Sequence, residues 1–158
     1  MNLELAFIVS DVCHEDNFES FAYTLGLMVD KKEKEVPFTN ASNWKSGFVD
    51  VMFSPKGTLV CVPFGEYNIA AASKSSTVTL VSVNENKQFV NIECAENGSM
   101  KRIYTTQEGA VRRDVRKPLN WESSVDNYEK LLSDCVKAFT GKKLVEYKNQ
   151  LATRYSIR

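Results

Sequence analysis

The sequence predicts an α+β fold: a mostly antiparallel sheet of about six strands with helices packed on one face, formed as one domain over residues 1–158. Three observations lead there. Short runs with an apolar period of two are joined by hairpin signals, Ser54-Pro55-Lys56-Gly57 and Asn97-Gly98. Two segments, after Asp16 and after Ser124, carry apolar residues at helical spacing and end on a glycine. The resulting order, β-α-ββ-α-βββ-α with one more helix at the end, puts helices between hairpins rather than strictly alternating with strands.

LELAFIVSDV (Leu3–Val12) reads as the first strand. Leu3, Leu5, Phe7 and Val9 share one face and Ala6 and Ile8 the other, so both faces are covered and the strand is central. Phe18, Phe21, Ala22 and Leu25 then form one helical stripe, with Gly26 at its end. Asp16, with Glu19 three residues later, has the spacing of a capping box, and Glu15 and Asp16 complement the helix dipole. Asp30–Glu35 (DKKEKE) reads as an exposed loop or edge strand. Phe48–Phe53 and Thr58–Phe64 pair across the Pro-Lys turn, with Pro63 closing the second strand. IAAASKSS (Ile69–Ser76) predicts a short helix lying close on the sheet. Thr77–Val83, Gln88–Ala95 and Ser99–Thr106 form a meander in which Val90, Ile92 and Cys94 share one face. Gly109–Leu119 is an extended arm or edge strand. Ser123 or Ser124 is the expected cap of a helix through Val125, Tyr128, Leu131, Leu132, Cys135 and Phe139, ended by Gly141. The tail is expected to add an amphipathic helix through Leu144, Val145, Lys148 and Leu151.

Composition bounds the rest. Hydrophobic residues make up 43% of the 158-residue chain and charged residues 25%, so a sizeable core is available and disorder is not expected. The net charge is zero, which argues against a dedicated nucleic-acid binder. The charge is uneven, however: residues 1–50 hold nine acids against four bases, whereas residues 99–117 hold six bases against two acids and 142–158 five against one. The plain reading is solvated faces; the functional one is an acidic surface that meets a basic partner. The N-terminal apolar run is short and follows Glu4, unlike a signal peptide or a membrane span. Four cysteines, Cys13, Cys61, Cys94 and Cys135, form no CxxC pair and read as reduced thiols of a cytoplasmic protein.

The chemical motifs are sparse. VCHEDNFESF (Val12–Phe21) holds the single histidine, His14, beside Cys13 and two carboxylates. Adjacent residues point apart on a strand or helix, so Cys13 and His14 make a poor ligand pair or nucleophile–base pair. HExxH, GxSxG, GxxxxGK[ST] and GxGxxG are absent. No metal or cofactor is therefore expected. FGEYN (Phe64–Asn68) before a short helix has the form of an anion-binding turn, but a plain strand-to-helix turn explains it. Arg112, Arg113, Arg116 and Lys117, with Tyr104 upstream and Trp121 beyond, have the mix of bases and aromatics that suits RNA. The plainer reading is an edge strand guarded by charge.

NFESFAYTLGL (Asn17–Leu27), GTLVCVPFGEYNIAAAS (Gly57–Ser73) and the meander after them resemble, in organisation, the small cytosolic immunity proteins encoded beside bacterial polymorphic and contact-dependent toxins. The resemblance implies a non-catalytic protein-binding domain that neutralises one cognate toxin by tight stoichiometric binding; the acidic N-terminal charge makes a basic domain the expected partner. On the chain's own charge and aromatic residues, the expected contacts are Asp11, Glu15, Asp16, Glu19, Trp44 and Tyr67. Two alternatives stand beside it: a small cytosolic hydrolase or transferase using carboxylates or Cys13, and an RNA-binding module using the basic stretch.

Overall fold

The computed structural model describes residues 3–38, 47–124 and 126–158. Trp44 and Val125 lie outside them. Nine strands form one sheet: β1 (Glu4–Ser10), β2 (Val29–Pro37), β3 (Phe48–Ser54), β4 (Gly57–Val62), β5 (Thr77–Asn84), β6 (Phe89–Glu96), β7 (Ser99–Gln107), β8 (Ala110–Val115) and β9 (Leu151–Ile157). Their order is β2-β9-β3-β4-β1-β5-β6-β7-β8, and every neighbouring pair is antiparallel. Three α-helices are present among the described residues: α1 (Phe18–Leu25), α2 (Ile69–Ala72) and α3 (Tyr128–Thr140). The α+β class and the antiparallel sheet are as expected. The sheet has nine strands rather than six because β2, β8 and β9 extend it at both ends.

The helices do not share one face. β1, in the middle of the sheet, is apolar on both sides, and each side has its own cover. Phe7 and Val9, with Leu59, Val81 and Ile92, pack under Leu131, Leu132, Cys135, Val136 and Phe139 of α3. Ala6 and Ile8, with Val60, Val62 and Leu80, pack under Phe18, Phe21, Ala22 and Leu25 of α1 and Ile69 and Ala72 of α2. The alternation of β1 requires two covered faces but does not say which helix covers which. The α3 side is also tied to the sheet at Gly57. A Cβ there would lie 2.5 Å from the carbonyl oxygens of both Ser10 and Phe139, so only glycine lets the hairpin, the end of β1 and the end of α3 meet.

The expected tail helix is a strand. Only one 3-10 turn, Leu144–Tyr147, forms, and the stripe positions Val145 and Leu151 are exposed. β9 instead slots between β2 and β3, with Ala152 in the core of one face and Tyr155 in that of the other. Its partners lie far away in sequence, so no local pattern announces it. Two helix caps also move. Asn17, not Asp16, is the N-cap of α1. Asn127 caps α3, its side chain accepting from the Lys130 N–H, while residues 120–124 form a separate 3-10 turn. Gly26 and Gly141 end their helices at φ +93° and +79°, as the glycine positions predict. The edge strands are blunted by Lys31, Lys32 and Lys34 on β2 and Arg112 and Arg113 on β8, and both edge pairings carry a register shift.

Candidate functional site

The opening of α1 is built from the end of β1. Asp11 folds back on the start of β5: its N–H donates to the Thr77 carbonyl at 3.2 Å and its Oδ1 accepts from the Thr77 N–H at 2.9 Å. Thr58 Oγ1 donates to the Val12 carbonyl and accepts from the His14 N–H. These bonds turn the chain so that the His14 ring is buried and stacks on Phe21, centroids 3.9 Å apart.

Both ring nitrogens of His14 are satisfied. Asn17 Oδ1, 3.1 Å from Nδ1, can only accept, so Nδ1 carries the hydrogen. Nε2 is then the acceptor for the Ser10 hydroxyl at 3.2 Å, and Ser10 Oγ in turn accepts from the Val12 N–H. Burial lowers the His14 pKa below its ordinary value, against the opposing pull of the Asn17 hydrogen bond and the Asp11 charge. Serine, histidine and asparagine thus stand in the order of a nucleophile relay, spaced four and three residues apart. Ser10 is wholly buried, however, and its hydroxyl is spent on the ring. A nucleophile must reach its substrate, so this chain of bonds serves as a structural lock on the turn. The sequence places His14 beside Cys13, but the turn brings it to Ser10 and Asn17, whose spacing across a strand-to-helix junction is the local signal for the cluster.

Outside the lock the segment is acidic and open. Asp11, Glu15, Asp16 and Glu19 are all exposed. Tyr23, one turn beyond Glu19, is 70% exposed, and Met28 just after the helix is 48% exposed. Tyr23 was not among the expected contacts. A large aromatic on the polar face of a helix, next to carboxylates, is the signal that would have found it. Tyr67 is tied down instead: its hydroxyl donates to the Pro63 carbonyl at 2.6 Å, and burial pushes its phenol up to about 12. Trp44 lies outside the described residues.

Several other chemical groups are tied into the fold. Burial, helped by Asp50, pushes the Cys61 thiol up to about 12, and burial raises Cys94 and Cys135 as well, which disfavours the reactive thiolate at all three. Arg154 makes a bidentate pair with Asp50 at 2.8 and 2.9 Å, joining β9 to β3. Arg102, on β7, is buried with Glu122, its Nε and Nη2 donating at 2.8–3.2 Å, and also reaches Asp114. Its guanidinium lies 5.2 Å from the centre of the Tyr104 ring. Trp121 is buried in the α3-side core. The basic stretch Arg112–Lys117 is therefore exposed without Trp121, while half-buried Tyr104 stays beside it on β7, opposite Asp114. Among the described residues no three His, Cys, Asp or Glu side chains gather to hold a metal ion, and no helix is long and apolar enough to cross a membrane. No family model matches the chain, and neither the curated proteins nor the solved structures compared with it give a match.

Proposed function

We propose that this protein is a cytoplasmic, non-catalytic binding protein that neutralises a cognate toxin domain by stoichiometric occlusion, as the immunity proteins it resembles do. The observation that carries the reading is the outer face of α1, where exposed Tyr23 is continuous with Glu19, Asp16 and Glu15. An exposed aromatic one helical turn from a run of carboxylates suits a basic protein surface: the ring supplies binding energy, and the charges supply orientation and rate of encounter. The same helix is held rigid at its root by the Ser10–His14–Asn17 lock, so little ordering cost falls on binding.

The test is co-expression with the product of the adjacent gene. The reading expects rescue of growth and a one-to-one complex on gel filtration. Tyr23→Ala should weaken that complex by about 2 kcal/mol or more. Glu15→Lys with Glu19→Lys should slow association and flatten its salt dependence while leaving the fold intact. A complex unaffected by all three substitutions would remove α1 as the interface, and failure to rescue or bind would remove the immunity reading.

A further inference from the structure

Far from α1, the segment after β8 passes over the beginning of β7 and is fixed there from below. Arg102 Nη1 donates to the carbonyls of Val115 at 3.2 Å and Arg116 at 3.0 Å, and Glu122 Oε1 accepts from the Leu119 N–H at 3.2 Å. Arg116 is held at φ +69°, a left-handed conformation uncommon outside glycine. A buried ion pair is seldom the most stabilising way to fill such a space, since apolar side chains of like volume often serve as well. What Arg102 and Glu122 do that apolar residues could not is grip three backbone groups of one short loop and set its course.

The loop so fixed forms one wall of an open groove of about 750 Å³. Lys101, Arg116 and Lys117 all line it, together with Pro118 and the half-buried Leu119 as its apolar part. The one acid of the lining, Glu96, pairs with Lys101 at 3.5 Å and accepts from the Thr77 hydroxyl at 3.3 Å, so an incoming phosphate competes with it for Lys101. We propose that this groove binds a phosphate-bearing small molecule, with the phosphate between Lys101, Arg116 and Lys117 and the organic part on Pro118 and Leu119. Three cations against one acid in the lining give the groove the charge a phosphate requires, and an arginine offers it a paired contact. The volume is that of a small-ligand site. An RNA strand would need stacking platforms, and Trp121 is buried while Tyr104 lies against Arg102. The inference does not depend on the reading of α1.

The test is an amide-resolved NMR titration of the full chain with ADP, with pyrophosphate and with a single-stranded RNA decamer, repeated on Lys101→Ala/Lys117→Ala. Both lysines are exposed, and a thermal melt establishes that the double variant stays folded. The proposal expects saturable ADP shifts confined to residues 99–101 and 116–120, with binding about tenfold or more weaker in the double variant. ADP binding more tightly than pyrophosphate supports the apolar part. Pyrophosphate matching ADP overturns the part assigned to Pro118 and Leu119 and leaves inorganic phosphate as the ligand. Absence of saturation at millimolar ADP and pyrophosphate, equal affinity in the double variant, or preference for the RNA decamer each overturns the site.

Discussion

Two buried polar clusters sit at separate places on this sheet, and they are built on opposite principles. The Arg102–Glu122–Asp114 cluster is ionic and joins β7 to the loop before α3. Hydrogen bonding to Glu122 and Asp114 holds the guanidinium more firmly protonated than usual, against the cost of burying it. The Ser10–His14–Asn17 cluster is neutral and joins β1 to α1. One cluster is built around a guanidinium held charged; the other is built around a neutral ring. Buried charge is costly to leave unpaired, whereas a buried neutral imidazole is vulnerable to a proton.

The largest effect is expected from Glu122→Gln, which leaves Arg102 with only a half-exposed partner. It should cost about 3–5 kcal/mol in denaturant unfolding. Arg102→Met combined with Glu122→Leu should recover most of that loss, and a double variant as unstable as the single one would show that the pair is worth more than its packing. Next comes Gly57→Ala, expected to cost about 1–3 kcal/mol by forcing apart the carbonyls of Ser10 and Phe139.

His14→Gln should cost about 1–2 kcal/mol near pH 8, where the wild-type ring is neutral and fully bonded. The pH dependence has a definite sign. The folded pKa lies below the ordinary value of 6.5, so the unfolded chain takes up the proton first. The stability that neutral His14 contributes is present above about pH 6.5 and is lost as the pH falls below it. The gap between wild type and His14→Gln should therefore narrow on acidification, and a gap that widens would mean that the ring gains a proton on folding. With one histidine in the chain, a single imidazole signal reports this titration directly. The smallest effects separate the two candidate caps: Asn17→Ala should cost about 1 kcal/mol, through the lost bond to His14, and Asp16→Ala no more than about 0.5 kcal/mol.

The same contrast explains how much was legible in the sequence. The hairpin at Pro55-Lys56, the meander through Asn97-Gly98, the stripes of α1 and α3 and their closing glycines all follow from neighbours within a few residues. The acidic character of the α1 opening was visible too. Tyr23 is not legible as a contact because exposure, not residue type, is what makes it one. His14 has Cys13 as its neighbour in sequence, but its partners are Ser10 and Asn17, brought round by the turn. Trp121 looked like part of a basic aromatic surface because nothing local says that the segment ahead of α3 folds inward.

The sequence by itself determined an α+β chain with an antiparallel sheet, a central β1 covered on both faces, and an acidic start to its first helix. Periodicity, turn residues and charge are local properties, and each acts before the chain has closed on itself. Only the tertiary structure decided that the tail is β9, 104 positions from Asp50 in the pair that Arg154 makes. It also decided that α3 lies opposite α1 and α2, and that the single histidine meets a serine and an asparagine rather than a cysteine. Those outcomes depend on which distant surfaces bury one another, and burial is a property of the closed chain.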